Sequence, residues 1–262
     1  MVKLKKFDEL TDLERLALRP LSYSRLNTFE LCSLKYFLGY IVKEDQVFGP
    51  PAVLGNVIHS VLEDTVGEPL NYTQMLTLMS EQLEERDPEG LIDEKLRQAG
   101  RIMLAEFVDK HQDETFDVIA REKEFEIIVG SAKILGYIDL VLRGPNNTIM
   151  IADYKSGKYE VAKKNIHNDL QLGIYALAMA QEYPDTPIYA ELYYLRSGRR
   201  KGHWFTEEDL EGVHERLLEK VNTLISTRNF KPTTNSRICS FCDFAKPGVC
   251  ATGAARMRNK RY

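Results

Sequence analysis

Two acidic residues and a lysine lie on two neighbouring apolar stretches. Asp139 lies within the first stretch, Gly136-Tyr-Ile-Asp139-Leu-Val-Leu142, and Asp153 and Lys155 end the next one along the chain. Side chains alternate along a strand, so Asp153 and Lys155 project from one face and Tyr154 projects from the other. Turn-forming residues 144–147 separate the stretches and predict a hairpin, which brings the two carboxylates close together across the strands.

Two such carboxylates predict a site for a hard cation, because they repel each other and oxygen ligands suit Mg²⁺ or Mn²⁺. The backbone carbonyl of Tyr154 is a plausible further ligand beside Asp139 and Asp153. Lys155 can hold an attacking water and offset charge on a phosphate. This is the chemistry of metal-assisted phosphodiester hydrolysis. A structural ion pair at a strand end is the competing interpretation of the D-x-K pattern alone.

The elements that must position these groups follow from hydrophobic periodicity. They predict an α/β fold in which helices flank a mixed central sheet. We expect a single domain over 1–262, with a helical insertion at about 67–115 and a cysteine-rich segment at about 230–255. Strands are predicted over 118–129, 132–143, 148–155 and 187–196, and helices over 21–40, 52–66, 72–112 with a break at 87–90, 165–181 and 207–227.

Composition excludes some classes of protein. With 44% hydrophobic and 28% charged residues, the chain of 262 residues is typical of globular proteins. The sequence has no apolar run of membrane-spanning length and no secretory signal, so we expect a cytoplasmic protein without a membrane partner. The net charge of −4 alone argues against nucleic-acid binding, but carboxylates committed to metal ions can hide a local basic surface.

Basic residues cluster at 196–201 and again at 256–261. The first cluster would either track a phosphate backbone or form a solvated turn, and the sequence leaves both interpretations open. Tyr193, Trp204 and Phe205 lie nearby and would either stack on bases or belong to the core.

The motifs together resemble the PD-(D/E)XK nuclease superfamily. The run Gly136-Tyr-Ile-Asp139 and the run Asp153-Tyr-Lys155-Ser-Gly are similar to its core, and two flanking motifs are similar to its RecB-like branch. These are Gly55-Asn-Val-Ile-His59, whose histidine is a metal ligand in that branch, and Gln171-Leu-Gly-Ile-Tyr175. Glu122 or Glu124 would correspond to an acidic residue that relatives carry on the first strand.

The resemblance implies a restriction-endonuclease-like fold and the activity of a metal-dependent DNA nuclease. It further implies a single-strand-specific exonuclease that acts in DNA repair, in recombination, or in the processing of CRISPR or phage DNA. His59, Asp139, Asp153 and the Tyr154 carbonyl would bind Mg²⁺ or Mn²⁺, Lys155 would orient the nucleophile, and Gln171 and Tyr175 would position the substrate. The partner would be DNA, preferably single-stranded, together with a helicase or a recombination or CRISPR protein, because the chain has no P-loop motif. An inactive module that binds DNA or a helicase, and an enzyme acting on RNA, remain alternatives.

Four cysteines form a second constellation, Cys32 near the start and Cys239, Cys242 and Cys250 near the end. A C-x-x-C pair indicates a soft-metal site, for which zinc is the generic interpretation. One early and three late cysteines resemble the arrangement in RecB-like nucleases whose [4Fe–4S] cluster joins the ends of the domain, as in AddB-type proteins and CRISPR-associated exonucleases. The chain departs from that pattern at Ser33, where relatives commonly have proline, and in its longer last spacing. The resemblance therefore implies a structural [4Fe–4S] cluster, with zinc as the alternative.

Overall fold

The structure is a computed structural model that describes Thr11, Glu14, 19–43, 49–87, 89–246 and 248–258. Its strands form a single five-stranded sheet in which the spatial order follows the chain order. The second and third strands pair antiparallel, the third and fourth parallel, and the fourth and fifth antiparallel, so the sheet is mixed as the sequence predicts. The strands are β1 Val118–Val129, β2 Ala132–Arg143, β3 Ile149–Lys155, β4 Ile188–Tyr194 and β5 Arg199–Phe205.

Side-chain caps begin several of the helices. Asn71, Asp93 and Asp169 each accept a hydrogen bond from a backbone N–H of the helix that follows, which satisfies one otherwise unpaired donor. The helices are α1 Tyr23–Leu31, α2 Ser33–Tyr36, a π-helix Phe37–Val42, α3 Pro50–Thr65, α4 Tyr72–Arg86, α5 Glu94–His111, α6 Leu170–Glu182, α7 Glu207–Ser226, α8 Ser236–Cys239 and α9 Ala251–Arg258, with 3₁₀ turns at Pro145–Asn147 and Lys163–Asn168. None of the helices described here is both long and apolar enough to cross a membrane.

Two sequence-based expectations are corrected. The helix predicted over 21–40 is interrupted at Cys32, where an extended backbone ends α1 and the thiol caps α2. The strand β5 was not predicted, because Arg199, Arg200 and Lys201 give its first half the composition of a charged turn. Strand β5 lies at the edge of the sheet, where polar side chains are tolerated on both faces.

The chain divides into two compact units. One comprises Gly49–Phe125 and Tyr137–Val213 and contains the D-x-K motif, and we call it the motif unit. The other comprises the described parts of Met1–Phe48, Glu126–Gly136 and His214–Tyr262, and we call it the cysteine unit because it contains all four cysteines.

The core of the motif unit is formed by α3, α4 and α5 against the sheet. Buried side chains of these helices, such as Ile58, Met75 and Leu104, form one cluster with Tyr154 and Tyr193 from the sheet. Helix α6 packs on β3 and β4 and buries most of its residues. Because neighbouring residues of β3 point to opposite faces, Tyr154 enters the cluster of α3 to α5 while the residues on either side of it face the other way.

Candidate active site

Helix α3 places His59 at the site because a glycine one turn earlier allows a close approach. Gly55 and His59 are four residues apart and share one face of the helix. A Cβ atom at Gly55 would lie 2.8 Å from the Oγ atom of Ser156, the residue after the D-x-K motif. The glycine thus lets α3 lie directly against the end of β3, where Asp153 and Lys155 are located.

The pairing of β2 with β3 ends at the site, and beyond its end a carboxylate accepts a hydrogen bond from the backbone of β3. Their pairing runs from Arg143 opposite Ile149 to Leu140 opposite Ala152. Beyond the last of these pairs, the backbone N–H of Tyr154 donates to Oδ2 of Asp139 over 2.7 Å instead of to a carbonyl of β2.

His59, Glu122 and Asp139 form a candidate metal site. One potential ligand atom from each lies within 4.8 Å of the others, and Nδ1 of His59 is 3.3 Å from Oδ2 of Asp139. Glu122 has a φ of 43°, a left-handed conformation that is uncommon for a residue with a side chain inside a strand. Strained backbone of this kind is concentrated at functional sites. Of the two acidic residues considered on the first strand, the structure brings Glu122 to the group, whereas Glu124 is exposed.

Asp153 lies outside this group of three and takes part in a second network. Its Oδ1 accepts hydrogen bonds from Nε2 of Gln171 over 2.8 Å and from the Tyr175 hydroxyl over 3.4 Å. Its Oδ2 is buried and has Nζ of Lys155 at 2.5 Å, but no donor with hydrogen-bond geometry among the described residues. Lys155 also donates to Oε1 of Gln171 over 2.6 Å, and Nε2 of Gln171 contacts the Tyr175 hydroxyl at 2.8 Å. The four predicted residues are therefore joined by direct contacts.

Burial raises the pKa of Asp153 to about 6, since the charge of Lys155 offsets only part of the desolvation and Asp139 adds repulsion. Burial also raises the pKa of Glu122, and the charges of Asp139 and Glu63 add to it. Both raised pKa values indicate that the positive charge near these carboxylates does not offset their burial and mutual repulsion. Glu63 lies one turn after His59 on α3 and was missed from the sequence, although its spacing of four residues from the histidine was a usable signal.

The basic partners shift in the direction expected next to carboxylates. Burial alone would lower the pKa of His59, but the contact with Asp139 outweighs it and raises the pKa. Burial likewise disfavours the charged form of Lys155, and Asp153 outweighs it, so the pKa of Lys155 is raised. Burial raises the pKa of Tyr175, with a further contribution from Asp153. The tyrosine hydroxyl therefore acts as a neutral hydrogen-bonding group.

The residues present fit a divalent cation. One imidazole and two carboxylates with oxygen ligands close together suit Mn²⁺ or Mg²⁺, and the buried Oδ2 of Asp153 lacks a hydrogen-bond donor among the residues that the structure describes. The raised pKa values of Glu122 and Asp153 point the same way, because a cation would relieve the repulsion that causes part of each shift. The role of the Tyr154 carbonyl as a ligand stays a prediction.

The basic cluster at 196–201 makes internal contacts. Arg196 donates to the Ser156 carbonyl, Arg200 pairs with Glu191, and Arg199 and Lys201 both pair with Glu160. Of the aromatic residues nearby, Tyr193 and Phe205 are buried and belong to the core. Trp204 is 52% exposed, so its ring is accessible. The second basic cluster, 256–261, lies partly outside the described residues.

The four cysteines lie in the cysteine unit, and its terminal segments are joined around them. Leu34 donates from its backbone N–H to the Lys231 carbonyl, and the Lys231 N–H donates to the Ser33 hydroxyl. The Thr233 N–H donates to Sγ of Cys32, the Gly253 N–H to Sγ of Cys250, and Arg256 contacts Sγ of Cys239 at 3.7 Å. Three of the thiols thus have N–H donors beside them, which stabilise sulfur that carries negative charge.

Comparisons with known proteins agree with this geometry. The region from residue 20 to residue 250 matches a model of the PD-(D/E)XK nuclease superfamily. The Gene 69 protein of Mycobacterium phage L5 is 30% identical over 131 residues, which are 47% of this chain and 42% of that protein. An ATP-dependent helicase/deoxyribonuclease chain of Streptococcus agalactiae is 25% identical over 198 residues, 66% of this chain and 18% of that protein. The chain therefore spans less than half the length of these relatives.

The fold is similar to folds found among solved structures. A protein from Eubacterium rectale, whose description proposes an exonuclease, aligns with a TM-score of 0.53 at 11% identity, over 88% of this chain and 90% of that one. The mixed five-stranded sheet agrees with this likeness. The match to the superfamily covers most of the sequence and includes every motif built up above, from His59 to Tyr175. The chain belongs to the PD-(D/E)XK nuclease superfamily.

Proposed function

We propose that this protein is a Mg²⁺- or Mn²⁺-dependent DNA nuclease that degrades single-stranded DNA from its ends. The observation that carries the proposal is the convergence of His59, Glu122 and Asp139 in the unit that also holds the buried Asp153–Lys155 pair. His59, Asp139 and Asp153 were expected as ligands from the sequence, and we add Glu122 because of its position. The helicase/deoxyribonuclease relative supports DNA as the substrate.

The chemistry of the site follows from the residues that surround it. A divalent cation held by the histidine and the carboxylates would offset negative charge on the phosphate and make a water molecule a better nucleophile. Lys155 is about one third exposed, so its ammonium can contact a phosphate oxygen or the attacking water while it neutralises Asp153. Gln171 holds Lys155 and Asp153 in place, and Tyr175 fixes the amide of Gln171.

A module that only binds nucleic acid has no evident use for this arrangement. Burying Asp153 and crowding carboxylates costs free energy, as the raised pKa values of Asp153 and Glu122 indicate. Groups of this kind persist where a cation or a reaction uses them.

The test is an assay with end-labelled single-stranded and duplex DNA in Mg²⁺, Mn²⁺ or EDTA. Asp153→Ala and Lys155→Ala should each lower the metal-dependent rate by about 10²–10³-fold or more, as removal of electrostatic catalytic groups does. Asp109→Ala and Lys95→Ala are the matched controls, since both residues are exposed on α5. Wild-type rates in both site variants would overturn the assignment, and wild-type protein that binds DNA without cutting it would establish the binding module instead.

We also propose that Cys32, Cys239, Cys242 and Cys250 hold a structural [4Fe–4S] cluster. The N–H donors around the thiols stabilise sulfur that carries negative charge, and one early with three late cysteines is the arrangement that resembles the cluster-containing RecB-like nucleases. Anaerobically purified protein should be brown and contain iron, whereas colourless protein containing zinc would support the alternative.

A further inference from the structure

Residues 157–164, which we call the 157–164 loop, follow Ser156 after the D-x-K motif, include the first two residues of the 3₁₀ turn Lys163–Asn168 and are fixed to the β4–β5 hairpin. The Val161 N–H donates to the Tyr194 hydroxyl over 2.9 Å, and Lys201 donates to the Val161 carbonyl over 2.7 Å. Glu160 pairs with Lys201 and Arg199 and accepts a hydrogen bond from the Ser197 hydroxyl. Because Tyr194 is the register partner of Lys155, these contacts hold the 157–164 loop at the carboxyl end of β3 and β4.

The side chains on either side of these anchors are exposed. Tyr159 is 86% exposed, the highest value among the exposed large apolar and aromatic side chains that the structure describes. Lys158, Lys163 and Lys164 are exposed, and no hydrogen bond or ion pair of the described residues includes their side chains. A ring with this exposure is accessible to a ligand.

The basic side chains of the hairpin and those of the loop differ in whether protein oxygens bind them. The cluster at 196–201 has four basic residues in six, yet Arg196, Arg199, Arg200 and Lys201 are engaged with protein oxygens. The contacts of Arg199 and Lys201 with Glu160, and of Lys201 with the Val161 carbonyl, hold the 157–164 loop in place. In this part of the described chain, the lysines without protein partners therefore lie on the loop and not on the hairpin.

We propose that the 157–164 loop binds the single-stranded nucleic acid that enters the active site, with Tyr159 stacking on a base and the three lysines contacting phosphates. An aromatic ring among cationic side chains is the combination that binds single strands, because every base has a face to stack on and every nucleotide carries a charge. Tyr159 is four residues from Lys155, so their Cα atoms are no more than about 14 Å apart. The stacked base would thus lie within a few nucleotides of the cleaved bond. This inference rests on the proposed function and specifies how that site holds its substrate.

Binding of a fluorescently labelled oligo-dT in EDTA tests the proposal without cleavage. Tyr159→Ala should weaken binding by at least about fivefold, the lower end expected for loss of one base–aromatic stack. Tyr159→Phe keeps the ring and should bind within about twofold of wild type. Each lysine that contacts a phosphate should contribute about 0.7 to the slope of log K against log salt, so replacing Lys158, Lys163 and Lys164 by alanine should flatten it. Lys95→Ala on α5 is the matched charge control and should leave the slope unchanged.

Hydrolysis of bis(p-nitrophenyl) phosphate, which has no strand to bind, separates this proposal from the nuclease assignment. Wild-type oligo-dT affinity in Tyr159→Ala together with an unchanged salt slope in the lysine variant would overturn the loop proposal, as would tighter binding of duplex than of oligo-dT. A wild-type protein that hydrolyses neither substrate but binds oligo-dT through Tyr159 would overturn the nuclease assignment alone.

Discussion

Removal of the Gln171 side chain tests whether the buried network positions the catalytic groups. The amide accepts a hydrogen bond from Lys155 over 2.6 Å and donates to Asp153 over 2.8 Å, so it joins the two charges of the D-x-K motif. Gln171→Ala would leave the carboxylate of Asp153 with the long contact from Tyr175 and the ion pair with Lys155. Both charged groups would then be less fixed in orientation.

The size of the effect follows from the partners that are lost. Hydrogen bonds to charged groups each contribute about 1.5–3 kcal/mol, but water can reach Lys155, which is about one third exposed, and replace part of that loss. We expect the free energy of unfolding to fall by about 2 kcal/mol, which lowers Tm by about 4–8 °C for a chain of this size. Loss of a group that orients a metal ligand commonly costs about 10–100-fold in metal affinity or activity. The rate of single-strand degradation should fall by that factor.

The assay is a titration of the degradation rate with Mn²⁺ at a temperature well below Tm of the variant. A positioning role for Gln171 requires the half-saturating Mn²⁺ concentration or the limiting rate to change, whereas a purely structural role would change Tm alone. Gln74→Ala is the matched control, since Gln74 is exposed on α4 and only its backbone N–H takes part in the capping contact. Gln171→Glu keeps the acceptor for Lys155 and removes the donor to Asp153, so full activity in that variant would refute the reasoning.

Three further predictions address other parts of the structure. Glu122→Gln should raise the half-saturating Mn²⁺ concentration at least about tenfold, while Glu124→Gln, further along the same strand and exposed, should not; equal values in the two variants would remove Glu122 from the site. Cys242→Ser should abolish the absorbance near about 400 nm and lower Tm, and unchanged iron content would count against the cluster. Gly173→Ala should destabilise the protein by about 1–2 kcal/mol, because its Cβ would lie 2.6 Å from Cγ2 of Val213. In a Val213→Ala background, which lacks that atom, the same change should be stabilising.

The elements that carry the motifs were predictable because each has a strong local signal. The strands at 118–129 and 132–143 have the predicted bounds, and β3 differs from the prediction by one residue. The second half of β1 alternates exposed and buried residues and β3 is an almost continuously buried apolar run, two patterns that indicate strands. The break at 87–90 also corresponds to the end of α4 and precedes the start of α5.

The features that could not be predicted from the sequence depend on contacts between residues that lie far apart along the chain. The strand pattern of β1 contains no sign that Glu122 adopts a positive φ, because the alternation of residue types in a strand does not report a single backbone angle. The charged residues 199–201 indicated a turn, and their role in β5 depends on Glu160 and Glu191, which come from other elements. The break at Cys32 likewise depends on the Thr233 N–H, which lies 201 residues away and bonds to its thiol.

The division of the chain would give the two proposed metal groups separate tasks. Every residue placed in the candidate active site, from His59 on α3 to Tyr175 on α6, belongs to the motif unit, and the core of that unit is formed by its own helices and strands. The cysteine unit instead brings together segments from both ends of the sequence through Ser33, Lys231 and Thr233. Closing so long a loop costs conformational entropy, which a metal cluster reduces in the way that a cross-link does. Replacement of a cysteine should therefore lower the stability of the cysteine unit first, and the rate measured well below Tm should stay that of wild type.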